Sequence, residues 1–509
     1  MKEFLSALKD VNSTINDFVW VKVGIILLIG TGIITTFATK FFQVSHIGHW
    51  WKNTIGGVFK KESKATRKTD KKSISQFQAL CTALAATIGT GNIAGVSSAI
   101  VIGGAGAVFW MWVAAFFGMM TNYSENILGI YYRRKNSKGE WCGGAMYYLK
   151  DGLGSKKNCK TLGSVLAVLF SIFAILASFG IGNMGQVNKI TLNLKSTFFS
   201  DSTAEIGDTG ISIPALVIGI VIMILAGLII IGGLQRIAAF AEKVIPFMAV
   251  LYILGSLTIV IYHFSDLGSM FGVIFRCAFD FKAVGGAAGG LLIKQAVVQG
   301  CKRGVFSNEA GLGSSVMVHS SSNVKEPVIQ GMWGIFEVFF DTIVVCTMTA
   351  LVVLSSGAID LNTGLAAEGT DDATLVAYAF SNVFGKSGEI FVSLAILLFA
   401  FTTILGWSQY GTRSWEYLFG EKSSKYYRIF FVLLIVSGGI MTSSIAWDIS
   451  DTFNGLMMIP NLIGVITLIP LVMKLTKNYV NRNIKGIDEE PILSFHPEIQ
   501  EDHKNTLND

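Results

Sequence analysis

The chain has 509 residues, 51% of them hydrophobic and only 15% charged, against the ~25% charged residues of an ordinary soluble domain. That composition excludes a water-soluble globule and predicts an all-α integral membrane protein. The net charge of +6 is gathered in loops and tails, which excludes nucleic-acid binding as its explanation and points to membrane topology.

Crossing a bilayer core takes ~20 apolar residues. Eleven segments qualify, at roughly 18–40, 76–103, 106–132, 162–193, 211–231, 238–263, 288–320, 328–357, 386–412, 426–446 and 452–475. Asp10 and Asp17 precede the first segment and no small-residue cleavage site closes it, so it reads as a retained helix. The loop 41–75 carries eight basic residues against Glu62 and Asp70, and the loop after the third span carries eight more against Glu140 and Asp151. Two spans separate these loops, so they share a side, and the positive-inside rule places both in the cytoplasm. The loops 198–212 (Asp201, Glu205, Asp208) and 358–372 (Asp360, Glu368, Asp371, Asp372) hold acids and no base, in keeping with the opposite side. The N-terminus is then outside and the C-terminus cytoplasmic. The polar residues 477–509 are expected to be a disordered tail.

Two spans contain sequences that disfavour a continuous helix. Span 76–103 holds Thr87-Ile-Gly-Thr-Gly-Asn-Ile-Ala-Gly95. Gly is a poor helix former and Asn competes for backbone bonds, while unwound backbone in a bilayer is tolerated only where it lines a cavity or is buried in protein. A glycine face packed on a neighbouring helix is the other reading. Span 288–320 holds Gly300 to Ser314, with Lys302, Arg303 and Glu309 inside it. Ionisable groups at that depth are functional suspects, or else Lys302 or Arg303 forms a structural ion pair with Glu309, or the two bases lie nearer a surface. With the first span set aside, ten remain, and the two interruptions fall in the first helix of each five. Paired interruptions in corresponding places point to a transporter binding site, where half-helix amides meet an anion and freed carbonyls meet a cation. The expected organisation is 1–40 (N-terminal segment with the extra span), 41–75 (basic loop), 76–263 and 264–475 (two inverted five-helix repeats) and 476–509 (tail).

Other polar residues lie inside spans. Asn183 and Gln186 are interhelical glue or site residues. Thr402 and Thr403 point about 100° apart on a helix, and each can equally bond its own i−4 carbonyl. Trp407 shares a face with Thr403. Glu125, Glu337 and Asp341 are intramembrane carboxylates that can carry protons, bind a cation or pair with a base; the sequence leaves the choice open. The six Cys show no CxxC pair and read as small buried hydrophobes, and the His46/His49 pair is discarded as a metal signal. No HExxH, GxSxG or Walker string occurs, which argues against an enzyme or an ATP-driven pump.

The strings GTGNIAGV (89–96), GGAMYYL (143–149), GIGNMGQVN (180–188), GGLQRIA (232–238), RGVFSNEAGLGS (303–314) and TTILGWSQYG (402–411) resemble those of the alanine-or-glycine:cation symporter family, over about residues 20–475. The resemblance implies a fold of the leucine-transporter (LeuT) type with one added N-terminal helix. It implies Na⁺-coupled uptake of a small neutral amino acid, alanine or glycine first, by a multi-pass monomer of the cytoplasmic membrane with no cofactor beyond the coupling ion. Thr90 and Gly91 would receive the substrate carboxylate, with Gln186, Gly304, Val305, Phe306, Ser307 and Trp407 around it. Na⁺ would lie among Ala85, Ile88, Phe399, Thr402 and Thr403, and Asn92 falls where a second ion site is placed. Glutamine or serine as substrate, and a channel or sensor on the same fold, stay open as alternatives.

Overall fold

The structure, a computed structural model, describes residues 2–60, 65–67, 72–200, 204–206, 211–279, 287–367, 374–441 and 445–507. Asp201, Asp208, Glu368, Asp371 and Asp372 of the acidic loops lie outside the described residues, as do Lys61, Glu62, Lys64, Lys68, Asp70 and Lys71 of the basic loop.

The chain is a helical bundle. Its main helices are α1 (Lys9–Ala38), the bent pair α2 (Gln76–Thr87) and α3 (Gly91–Gly103), α4 (Gly106–Tyr131), α5 (Lys160–Phe198), α6 (Ile213–Ile230) and α7 (Gly233–Tyr262). They are followed by α8 (Ala287–Asn308), α9 (Val316–His319), α10 (Pro327–Leu354), α11 (Lys386–Phe419), α12 (Ser424–Ile440), α13 (Ile445–Asn483) and α14 (Pro497–Asn505). Among the described residues seven helices are long and apolar enough to cross a membrane, and the bent pair makes up to eight. The outward side of α6 and α7 is apolar: Val217, Val221, Ile224 and Leu228, then Phe247, Val250, Leu254 and Ile261, are all exposed. Their spacing in steps of three, four or seven residues gives one stripe per helix, and an exposed apolar face of that extent suits lipid rather than water.

The interior is unusually polar. In α4 every residue from Thr121 to Asn126 is buried, Glu125 included. This helix packs against α1, α8 and α10, so its polar run is read by protein and not by lipid. The start of α1 is fastened to α13: Asn16 Nδ2 donates to Asp451 Oδ2 at 2.9 Å, and Trp20 Nε1 donates to the Asp451 carbonyl at 3.2 Å.

The basic loops meet at one end of the bundle. Asn323 Nδ2 donates to the Arg67 carbonyl at 2.6 Å, and the buried Arg133 donates to the carbonyls of Ser320, Ser322 and Val324. The tail departs from expectation. Helix α13 runs on to Asn483, and α14 docks at this same end. Phe495 N donates to the Tyr131 carbonyl at 2.9 Å, Arg482 pairs with Glu326 at 2.7 Å, Leu493 is fully buried, and the His503 ring lies 5.6 Å from that of Trp141. A polar composition conceals these anchors. Gln500 Oε1 accepts from the Leu493 and Ser494 amides at 2.7 and 2.9 Å, which fixes the turn into α14.

Candidate substrate and ion site

Helix α2 begins with a reciprocal cap: Gln78 N donates to Ser75 Oγ at 3.1 Å and Ser75 N donates to Gln78 Oε1 at 3.2 Å. It ends at Thr87, because the residues that follow withdraw their amides. Gly89 N donates to the Asn92 side-chain oxygen at 2.9 Å, and Asn92 N turns to the Gly89 carbonyl at 3.3 Å. In a regular helix those amides would serve Ala85 and Ile88. Both carbonyls therefore lose their i+4 donors, and the chain resumes in α3 at an angle of 56°. Asn92 thus competes with the backbone as Asn side chains do elsewhere.

Helix α8 ends at Asn308 and the four-residue α9 follows at Val316. Glu309 adopts φ +56°, Gly311 +91° and Gly313 +73° before α9 begins at Val316. A non-glycine residue with positive φ is sparsely populated and costs of order 1 kcal/mol or more unless its surroundings hold it. Here Ser314 Oγ donates to Glu309 Oε2 at 2.5 Å, and Asn461 of α13 donates to the Gly311 carbonyl at 2.8 Å and to Glu125. Gly311 N in turn donates to Glu125 Oε2 at 3.3 Å.

The bend between α2 and α3 abuts the end of α8. A Cβ on Gly91 would lie 3.2 Å from the Phe306 ring and 3.6 Å from Ser307 Cα. The space between them is lined by Thr87, Gly89, Gly91, Gln186, Phe306, Glu309, Thr403, Trp407 and Asn454 among others, and measures only about 10 Å³. That is below or at the room one water needs, ~10–15 Å³. Thr90 Oγ1 donates to Gln186 Oε1 at 3.1 Å, and Gln186 Nε2 donates to the Ile181 carbonyl at 3.2 Å. Trp407 is buried against Gly182, where a Cβ would sit 2.4 Å from its own.

Thr403 and Thr402 both donate to the Phe399 carbonyl, at 3.0 and 2.9 Å. Their surroundings differ. Thr403 Oγ1 is 2.5 Å from where a Gly89 Cβ would be, so its hydroxyl meets the first interruption. Thr402 Oγ1 lies 3.8 Å from Met248 Sδ of α7. Ala85, Ile88 and Phe399 supply neutral carbonyls and Thr403 a neutral hydroxyl. Such hard oxygen donors fit an alkali cation.

Of the residues assigned to the substrate by resemblance, Gly91, Gln186, Phe306 and Trp407 line the central space, and Thr90 binds one of them. Gly304 packs on Met111 and Ala114 of α4, and Val305 is buried outside the lining. Ser307 turns to Asp341 instead.

Asp341 gathers residues from three elements. Asn92 Nδ2 donates to its Oδ1 at 2.7 Å, and Ser307 Oγ and Thr342 Oγ1 donate to its Oδ2, each at 2.8 Å. Among the described residues no Lys or Arg pairs with this fully buried carboxylate, nor with Glu125 or Glu309. The ion pair of Lys302 or Arg303 with Glu309 is not formed. Lys302 pairs with Asp451 at 2.9 Å, because α8 carries it toward the start of α13 and away from the turn that holds Glu309. Glu337 pairs with His319 at 2.9 Å, and Asn122 donates to the same carboxylate at 3.3 Å. His319, Asn461 and Asn454 are not among the residues expected from the sequence. A buried His and two Asn in apolar runs were the available signal.

A polar seam between a bent helix pair and a neighbouring helix end, enclosed by helices of membrane length, is the construction of a multi-span membrane transporter. The sequence profile of the sodium:alanine symporter family matches residues 5–493, and the chain belongs to that family. It is 42% identical over 476 residues to a sodium/alanine symporter of Methanococcus maripaludis, covering 92% of this chain and 97% of that one. A probable sodium/glutamine symporter of Bacillus subtilis is 35% identical over 493 residues, covering 96% and 93%. Among solved structures, MhsT in complex with L-phenylalanine aligns with a TM-score of 0.52 at 14% identity, over 80% of this chain and 99% of that one. That likeness gives the fold as LeuT-like.

Proposed function

We propose that this chain is a Na⁺-coupled symporter that takes up a small neutral amino acid, alanine or glycine first, by alternating access. The observation that carries the reading is the meeting of Thr403 with the first interruption, where the Ala85 and Ile88 carbonyls have lost their i+4 donors. The names of the Methanococcus and Bacillus relatives favour sodium coupling and place alanine ahead of glutamine.

In this reading the chain has eleven spans: α1, then two inverted sets of five, 76–263 and 264–475, with α2–α3 and α8–α9 opening the two sets. The basic loop 41–75 and the tail 476–509 face the cytoplasm and the N-terminus faces out. The gathering of Arg67, Arg133, Lys325 and the tail at one end supports that orientation. The protein works as a monomer in the cytoplasmic membrane.

Na⁺ binds between Ala85, Ile88, Phe399 and Thr403, with Thr402 donating to the same carbonyl from the far side. It holds α2 and α11 together from within. The amino acid places its carboxylate at the amides of Thr90 and Gly91, oriented by Gln186, with Phe306 and Trp407 as walls. Gly304, Val305 and Ser307 shape the helix end that closes over it. A space of about 10 Å³ admits no amino acid, so binding requires the two interruptions to part. Closure afterwards excludes water and commits the substrate. Asp341 completes the second ion site at Asn92. Its charge is buried among neutral donors, and a bound cation or a proton must offset it.

The test is uptake of radiolabelled alanine by proteoliposomes with Na⁺ or K⁺ outside, and a competition panel of L- and D-alanine, glycine, serine and glutamine. Equal uptake in K⁺ removes the coupling. Glutamine outcompeting alanine moves the substrate. Current without saturable uptake makes the protein a channel.

A further inference from the structure

Helix α6 packs on both α7 and α12, and one end of the wall they form carries bases that no acid answers. Among the described residues Arg236 and Lys243 of α7 and Lys425 and Arg428 of α12 have no carboxylate within ion-pair distance. The acids of this end are engaged elsewhere. Glu242 accepts from Gln78 at 2.7 Å, Glu416 pairs with Arg413 at 2.8 Å, and Glu421 accepts from the Ser137 amide at 3.0 Å. The last bond ties the turn between α11 and α12 to the loop after α4, so this is the end where the basic loops meet.

Two of the four bases converge on one turn, Gly232-Gly233, which joins α6 to α7. A Cβ on Gly232 would lie 2.5 Å from Arg236 Nε, and one on Gly233, at φ +73°, would lie 3.4 Å from Arg428 Nη1. Both guanidiniums therefore rest on consecutive glycines. Each has five N–H donors and most are unused. Arg236 Nη1 donates to the Leu228 carbonyl at 2.7 Å, Arg428 Nη2 reaches Ser424 Oγ at 3.4 Å, and Arg428 Nε is buried with no partner.

Beyond the turn the same surfaces become apolar. On α7, Arg236 and Lys243 stand on the exposed stripe that continues through Phe247, Val250 and Leu254. On α12, Lys425 stands on one that continues through Ile429 and Leu433. Steps of three, four and seven residues keep each stripe on one helix face. The wall is cationic at its end and oily beyond it. A soluble phosphate matches only the first part. A glycerophospholipid with a net negative headgroup matches both, and basic pockets between helix ends on the cytoplasmic side suit such headgroups.

We propose that the α6–α7 turn holds one anionic glycerophospholipid, its phosphate between Arg236 and Arg428 and its acyl chains along the outer face of α6. Lys243 and Lys425 flank the headgroup. Helix α7 packs on α2 and α11, and α12 packs on α11, so the lipid ties together helices that brace the ion site. The lipid site goes beyond the transport reading and takes from it only the orientation of this end.

Native mass spectrometry and thermal unfolding of the purified full chain in neutral detergent test it, with dioleoyl-phosphatidylglycerol, dioleoyl-phosphatidylcholine and inorganic phosphate as probes. The wild type is expected to retain one phosphatidylglycerol against an excess of phosphatidylcholine, and to unfold at a higher temperature with it. Inorganic phosphate is expected to do neither. R236Q and R428Q should each weaken phosphatidylglycerol binding about fivefold, and the double variant about thirtyfold. K243Q/K425Q changes two exposed side chains and should weaken binding in the same direction should the arginine variants fail to fold. K156Q/K157Q, in the basic loop after α4, should leave binding within about twofold of the wild type. Equal retention of phosphatidylcholine, or an equal loss in K156Q/K157Q, makes the effect one of general surface charge and overturns the site. Stabilisation by inorganic phosphate alone, or unchanged binding in R236Q, R428Q and K243Q/K425Q, overturns it as well. None of these readouts depends on uptake, so their failure leaves the transport reading standing, and a failure of Na⁺-dependent uptake leaves the lipid site standing.

Discussion

Gly89→Ala probes the ion site at its tightest point. Gly89 does not have a positive φ, so its backbone accepts alanine without strain. The obstacle is across the interface: the new Cβ would stand 2.5 Å from Thr403 Oγ1, 3.5 Å from Thr403 Cβ and 3.6 Å from Gln186 Oε1. Only the first of these is an overlap. Relieving it means turning the Thr403 hydroxyl out of the interruption or parting α2 from α11, and overpacking of this kind costs ~1–3 kcal/mol. At ~1.4 kcal/mol per tenfold, Gly89→Ala should raise the half-saturating Na⁺ concentration for alanine uptake by roughly 5- to 150-fold. In a Thr403→Ala background the overlapping atom is gone, and the remaining 3.5 Å contact is ordinary. Gly89→Ala should then add less than ~0.5 kcal/mol, the scatter expected of independent sites. Na⁺ titrations of uptake in proteoliposomes for the four proteins of this cycle give the coupling directly. Equal cost of Gly89→Ala in both backgrounds would refute the claim that the Thr403 hydroxyl serves the ion at this interruption.

Gln186→Ala strips the Thr90 hydroxyl and the Ile181 carbonyl of a buried partner, which costs ~1–3 kcal/mol. It should raise the KM for alanine more than it raises the half-saturating Na⁺ concentration, read from uptake kinetics in which each is varied in turn. Asp341→Asn removes the buried charge at the Asn92 site, so the charge moved per alanine, measured as the ratio of current to tracer flux, should fall; an unchanged ratio takes Asp341 out of the ion path. At the docked tail, burial pushes His503 down to about 3, aided by Arg133, Lys325 and Lys135 and countered by a backbone bond at Lys325. The docked state thus favours the neutral ring. Its contribution is complete above the free value of 6.5, and is lost progressively as pH falls below 6.5 toward about 3. Going from pH 7.5 to 5.5 should weaken docking by ~1.4 kcal/mol, read as about tenfold less hydrogen-exchange protection over 497–505, and His503→Phe should abolish that pH dependence.

Much of this architecture is legible in the sequence, because a bilayer imposes a simple rule on it. Long apolar runs gave the helices, and the Gly89–Gly95 stretch marked the place where α2 stops. The reason for the stop was also readable, since Asn92 could be suspected of taking backbone amides. Which amide it takes is a matter of three-dimensional reach. The same holds for the buried charges. Glu125, Glu337 and Asp341 stood out as carboxylates in apolar runs, but their partners are Asn461, His319 and Asn92, up to 336 residues away. Lys302 and Glu309 are neighbours in sequence, and proximity suggested a pair. The positive φ of Glu309 sends its side chain to Ser314, while α8 carries Lys302 to Asp451. The tail misled for another reason. Its composition is polar, and docking rests on a few residues, Leu493, Gln500 and His503, whose partners lie on other elements.

Coupling is the central claim, and the steady-state accumulation ratio tests it most directly. Proteoliposomes containing the purified chain, clamped at zero membrane potential with a tenfold inward Na⁺ gradient, should concentrate alanine about tenfold for each Na⁺ carried, because a tenfold gradient supplies ~1.4 kcal/mol per ion. Collapse of the Na⁺ gradient should release the accumulated alanine. An interior concentration that never exceeds the exterior one, or a plateau indifferent to the Na⁺ gradient, would contradict the account.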